Sequence, residues 1–267
     1  MLKTSGIIQL TLRENLRGQL LWISVTAGSV LLILLAILSG IALSHESRVI
    51  DVFSYFAADQ LLLFIAVFSG STICATDFTS RGLAELYIPA GASRHSLYIA
   101  RLFAYAVVLL ALAAALFCLK IFILPRMSEN PESVSLYIQF TMLFFAWLKS
   151  LTALSVAGFM GTLVRPIYAI IATITLFSFG HLTASFDTLM SAGAALNQDF
   201  TQTNNGGVLF WLLRFWNPNL LIVNSARGEW VPPTSADTAQ ALCWALAFIL
   251  IPIAFAVMRL NRIDVRH

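Results

Sequence analysis

Charged residues are few: Asp, Glu, Lys and Arg make up 11% of the 267 residues, while apolar residues make up 59%. A soluble domain of this length needs far more charge to cover its surface, so the shortage leaves an integral membrane protein as the class. A mean hydropathy of +0.84 agrees. Cysteine is also scarce. Cys74, Cys118 and Cys243 fall inside or beside apolar runs without CxxC spacing. They read as small buried hydrophobes rather than as a disulfide or a metal site. No GxxxxGK[ST], HExxH or GxSxG occurs, and His45, His95, His181 and His267 are scattered. The chain is therefore not expected to be an enzyme, nor to hold a cofactor or metal, and no nucleic-acid partner is expected.

What is present is a series of apolar runs. Leu20–Leu43 is long enough to span, since a bilayer core needs about 20 apolar residues. Leu61–Ala75 is short and should recruit residues from Phe53 or Tyr55 onward, after an acidic loop over His45–Asp59. Further spans are predicted at Tyr98–Leu124, with Lys120 placed to snorkel, at Leu136–Leu163, at Ile167 to about Met190, and at Ala239–Met258. Pro125–Ser135 and Val164-Arg165-Pro166 read as turns. Before the first run, Ile8, Leu12, Leu16 and Leu20 recur every fourth residue, with Lys3, Arg13, Glu14 and Arg17 on other faces. Residues 2–19 thus read as an amphipathic interfacial helix, against the plainer reading of a basic flank. Within 193–237, the Val208–Trp216 segment is too short to cross and rich in aromatics, so it is predicted to be a re-entrant or interfacial helix stopped by Asn217-Pro218. The expected fold is one all-α integral membrane domain, residues 1–267, with six transmembrane helices.

Counting basic residues orients it. With the N-terminus inside, the inner segments hold ten: Lys3, Arg13, Arg17, Arg81, Arg94, Arg101, Arg165, Arg259, Arg262 and Arg266. The outer segments hold Arg48, Arg126, Arg214 and Arg227, with Lys120 at a margin. Positive charge collects on the cytoplasmic side, so both termini and the polar stretch Thr76–Arg101 are expected there, and the 193–237 loop outside.

Lys149 stands deep inside the fourth span. A buried ammonium must face the bundle interior, a partner or water. It reads either as a substrate-path charge or as half of a structural pair, for which Asp59 and Asp187 are the conceivable partners. His181 in the fifth span reads as a hydrogen-bonded bundle residue with the same two options. Gly158 and Gly161, with Ser155 and Ala157, predict close helix approach rather than a site.

The 76–97 region is the most informative polar stretch. Thr76 or Asp77 suits an N-cap, and Phe78, Arg81, Gly82, Glu85 and Leu86 follow at helical spacing. Pro89 and Gly91 end that short helix, and Ser93 caps the next span. A short helix across the cytoplasmic face, tied to a span at each end, can move both at once; a merely solvated loop is the plainer alternative.

An acid at Asp77, then Arg81-Gly82-Leu83, Leu86, Ser93-Arg94 and Arg101 resembles the permease subunits of ABC-2 type transporters. Gly91 stands where that family usually has Pro, with Pro89 earlier. The 2–19 helix resembles the family's elbow helix, Trp216-Asn217-Pro218 with Ala226-Arg227 its Asn-Pro and later Arg, and Arg259 to Asp264 its basic end. The resemblance implies a bacterial inner-membrane exporter subunit whose coupling helix, with Asp77, Phe78, Arg81, Gly82, Glu85 and Leu86, docks on a separate ATPase chain holding ATP and Mg. It also implies a second permease copy or paralogue. Membrane lipids and a periplasmic accessory protein complete the expected partners. A periplasmic assembly or maturation system, and a secondary transporter, are the alternative functions; the latter calls for more intramembrane acids, broken helices or an internal repeat.

Overall fold

The computed structural model describes residues 46–77, 93–127, 136–178 and 235–262, together with 6, 8, 9, 11–13, 22, 26 and 30 nearer the N-terminus. Every element among them is a helix, and there is no strand among the described residues. We label the helices α1 (Glu46–Asp77), α2 (Arg94–Met127), α3 (Leu136–Leu163), α4 (Pro166–Ser178) and α5 (Ser235–Arg262). Four of them contain stretches long and apolar enough to cross a membrane: Tyr55–Cys74, Arg94–Cys118, Gln139–Leu163 and Ala241–Asn261. The protein is therefore membrane-embedded.

The short second run does begin its apolar stretch at Tyr55, and α3 matches the fourth predicted span at both ends. Several boundaries differ, among them the start of α5, which is helical from Ser235 inside the expected 193–237 loop. The expected acidic loop over His45–Asp59 is helical from Glu46, because no Gly or Pro interrupts that segment and Val49, Ile50, Val52, Phe53 and Phe56 carry the apolar pattern upward. The expected turn at Pro125 gives way to helix through Met127, since a proline this near a helix end forgoes only a bond of the last turn. Thr76 and Asp77 likewise close α1 rather than standing outside it. At about 1.5 Å per residue, α1 and α2 are each near 50 Å long, well beyond a hydrocarbon core of about 30 Å.

Helix α3 is the axis of the bundle: 78% of its apolar window is buried, against 22% for α5. It runs parallel to α1, whose Asp59, Gly70 and Ser71 meet Lys149, Ala157 and Gly161 in ascending order. It also runs parallel to α5, with Ser155 bonded to Ile249 and the Phe159 ring tilted against that of Phe255 at 6.0 Å. Helix α2 runs the other way, with Tyr98 against Gly158 and Phe117 against Phe140. Since α3 ends where α5 must finish, residues 164–234 connect opposite ends of the bundle.

Small residues make the α1–α3 seam. A Cβ on Gly70 would lie 2.6 Å from the Leu154 carbonyl oxygen, and one on Gly161 would lie 2.8 Å from that of Ser71. The backbones touch, as the Ser155–Gly161 pattern predicts. Below the seam the chain turns sharply. The Val164 N–H donates to the Met160 carbonyl at 3.0 Å, and the Arg165 carbonyl accepts from Tyr168 at 3.0 Å and Ala169 at 3.1 Å. Pro166 occupies the first turn of α4, where its missing N–H costs nothing.

Outward faces are apolar, including Phe103 and Leu110 on α2, Ile167 and Ile171 on α4, and Leu250 and Phe255 on α5. Cys74 is buried as expected, but Cys118 and Cys243 are exposed on these outward faces, because their helices present only one side to the bundle. In the N-terminal stretch, residues 6, 8, 9 and 11–13 are helical, with Thr11 buried and Gln9 and Arg13 exposed. Trp22, Thr26 and Val30 are helical and exposed at a spacing of four, and the Thr26 hydroxyl donates to the Trp22 carbonyl at 2.7 Å.

Candidate functional site

Two features carry chemistry, and they lie at different levels of the bundle. The first is in its middle. Lys149 Nζ donates to Asp59 Oδ2 at 2.7 Å, with each side chain only 7% exposed. Helix α3 places Lys149 about 20 Å from either of its ends, so the pair sits far from both aqueous faces. The parallel seam explains why these two meet: the helix offset that brings Gly70 to Ala157 and Ser71 to Gly161 also brings Asp59 level with Lys149. Of the two partners conceivable for Lys149, the structure selects Asp59; Asp187 lies outside the described residues.

The surroundings are apolar. Ala58, Leu61, Leu62, Leu143 and Ala146 belong to the main core cluster, and Tyr55, one turn before Asp59 on the same helix, packs against it. In such a medium a lone ammonium or carboxylate is costly, and each charge here neutralises the other. The Gln60 side-chain amide approaches Asp59 Oδ2 at 3.5 Å, while Asp59 Oδ1 has no hydrogen-bond partner among the described residues. The Lys149 carbonyl accepts from the Thr152 hydroxyl at 2.7 Å, which ties the charged turn to its own helix.

The second feature is the end where α1 finishes and α2 begins. Ile73 and Cys74 of α1, Tyr98 of α2 and Ala256 and Leu260 of α5 form one buried cluster there. The segment 78–92 therefore leaves and re-enters the bundle at the same end. Ser93 caps α2, as predicted: its hydroxyl accepts from the Ser96 N–H at 3.4 Å, and its carbonyl from the Leu97 N–H at 3.1 Å. Arg94, Arg101, Arg165, Arg259 and Arg262 all belong to this end, and Arg101 is buried. Tyr98 is fully buried, and its hydroxyl has no partner among the described residues. A Cβ on Gly158 would lie 2.8 Å from that oxygen, so the glycine is what leaves room for it.

Of the residues singled out from sequence, Asp77 is the final residue of α1 at this arginine-rich end, and Lys149 is in the buried pair. Phe78, Arg81, Gly82, Glu85, Leu86 and His181 lie outside the described residues, as do most of 2–19 and all of 193–234. The structure does not bring Asp77 and Lys149 together; the bundle separates them by several helical turns. Sequence reasoning missed Tyr98 and the role of Ser155. An isolated Tyr or Ser in an apolar run gives no signal until its neighbours are known. Among the described residues no three His, Cys, Asp or Glu side chains converge as metal ligands would. In comparisons with known proteins, no family model matches the chain and no curated protein matches it.

Proposed function

We propose that this chain is the transmembrane permease subunit of an ATP-driven ABC exporter of the ABC-2 type, and that it couples ATP hydrolysis on a separate chain to movement of a substrate or of force across the membrane. ATP and Mg belong to that partner ATPase, and a second permease copy or a paralogue completes the pore-forming pair. The observation that carries this reading is the position of segment 78–92. Asp77 and Arg94 bracket it at the arginine-rich end of the bundle, the end expected to face the cytoplasm where an ATPase binds. A coupling helix that follows Asp77 and runs to Leu86, as this reading requires, would be tied to α1 and α2 together, so pushing it would move two spans.

The chain's course agrees with six spans. Because α3 and α5 are parallel, residues 164–234 must return across the bundle, and α4 starts that return from the arginine-rich end. Adding a first span over Leu20–Leu43 puts the N-terminus on the same side as Arg262. Both termini are then cytoplasmic in a bacterial inner membrane, with 193–237 and its Val208–Trp216 helix on the far side. The pairing of Lys149 with Asp59 favours the structural reading of that lysine over the substrate-path one.

The test is on the segment itself. Gly82→Trp or Arg81→Glu is expected to abolish co-purification of the ATPase subunit, or to leave it bound with uncoupled ATP turnover, while membrane insertion persists. Unchanged co-purification together with unchanged ATP turnover overturns the assignment.

A further inference from the structure

We infer that α5 is hinged at Pro252, and that its half nearer the arginine-rich end swings while the other half stays fixed to α3. The hinge rests on the proposed coupling only for its use; its existence is argued from packing alone.

Three observations meet at one turn of α5. Pro252 stands inside the helix. It has no N–H to donate toward the carbonyl four residues earlier, and its ring crowds that carbonyl, so the helix is weakest there. The helix on either side packs into separate clusters. Ala241, Leu242, Ala245 and Ile249 pack with Phe144, Phe145 and Leu148 of α3. Ile253, Ala256, Val257 and Leu260 instead pack with Ile73 and Cys74 of α1, Tyr98 of α2 and Phe159 of α3. No cluster of buried residues runs through Pro252 from one half to the other among the described residues. Finally, the junction carries a polar tie: the Ser155 hydroxyl, fully buried, donates across to the Ile249 carbonyl at 2.8 Å. The carbonyl that Pro252 leaves without its N–H is that of Phe248, and the Ile249 carbonyl that Ser155 meets is the next one along, in the same strained turn. Ser155 thus pins the fixed half immediately before the weak point.

The two halves differ in what they are attached to. Among the described residues, the buried cluster of the fixed half is shared with α3, the axis of the bundle. The other half touches α3 at Phe159 but also shares its cluster with the last turns of α1 and the first turns of α2, the two helix ends that segment 78–92 joins. A displacement of that segment passes through Ile73 and Tyr98 into Ala256 and Leu260, and the bend at Pro252 absorbs it. Ten residues beyond the hinge make a lever of about 15 Å, so a bend of about 20° moves its tip by about 5 Å.

Spin-label distances test this on the chain alone, in lipid nanodiscs, with Cys74→Ala, Cys118→Ser and Cys243→Ser as background. One pair, Phe140→Cys with Ala239→Cys, reports the fixed half. The other, Leu163→Cys with Asn261→Cys, reports the swinging half. The expected result is a narrow distribution for the first pair and a broad or two-component one, spread by about 5 Å, for the second. Pro252→Ala should collapse the second distribution to a single component, and Ser155→Ala should broaden the first. An equally narrow second pair, or a broad one unchanged by Pro252→Ala, overturns the hinge. If Pro252→Ala fails to insert, the wild-type contrast and Ser155→Ala decide alone. None of these outcomes involves the ATPase, so the hinge can fail while the Gly82 and Arg81 tests succeed, and the converse.

Discussion

An ion pair in the middle of a membrane bundle is held in place less by its own attraction than by the cost of dividing it. Asp59 and Lys149 each neutralise a charge that the core around Leu62 and Ala146 cannot solvate. Removing one leaves the other buried and unpaired, a loss of about 3–5 kcal/mol, whereas replacing both with apolar residues of similar volume is near neutral. Lys149→Met alone, or Asp59→Leu alone, is therefore expected to lower unfolding stability in mild detergent by that amount, and the double substitution to recover most of it. A double variant as unstable as the sum of the singles would mean that the pair does not exist. The exchange Asp59→Lys with Lys149→Asp should recover less, because Asp59 Oδ2 also faces Gln60. At the other end, the Tyr98 hydroxyl and Gly158 form a second coupled pair. Gly158→Ala drives a Cβ to 2.8 Å from that oxygen, an overpacking that costs about 1–3 kcal/mol. Tyr98→Phe removes an oxygen with no partner among the described residues, so it should cost little by itself and should rescue Gly158→Ala. A thermal-unfolding cycle over the four proteins measures this; additive losses would separate the two residues.

At the scale of the helix, the sequence is legible where composition alone decides and opaque where rotation decides. The ends of α3 follow from a continuous apolar run between a polar turn and Val164-Arg165-Pro166, and the N-cap of α2 follows from Ser93 before an apolar run. The start of α1 was not legible. Glu46–Asp59 contains acids that suggest a loop, yet nothing in it breaks a helix, and a helix already formed in the span propagates more easily than a new one nucleates. The glycines announced a close seam but not its partner, since any helix can meet Gly158 and Gly161. Asp59 was conceivable as the partner of Lys149, and choosing it over Asp187 required the angular offset of two helices, which no spacing within either one encodes. The same holds for Ser155 and Pro252. Each is unremarkable in its own helix, and only the packing of α5 into two clusters gives them a common purpose.

For the whole molecule, the direction of each helix is the quantity that ties fold to orientation. α1, α3 and α5 are parallel and α2 opposes them, so Asp77, Arg94, Val164 and Asn261 share one end while Met127, Leu136 and Ser235 share the other. The arginines of the described helices α1–α5 and of the turn at Arg165 divide unequally between those ends, with Arg94, Arg101, Arg165, Arg259 and Arg262 at the first and Arg48 and Arg126 at the second. Positive charge is retained on the cytoplasmic side during insertion, and each short arginine-bearing turn adds to that bias. The expected topology has the first end in the cytoplasm. Single cysteines at Val164 and Asn261, in the cysteine-free background, should react with a membrane-impermeant maleimide only after intact cells are permeabilised. A cysteine at Met127 should react without permeabilisation. Labelling of Val164 and Asn261 from opposite faces would contradict the parallel course of α3 and α5. Labelling of both from outside would preserve the bundle but invert it, and segment 78–92 would then be out of reach of any cytoplasmic ATPase.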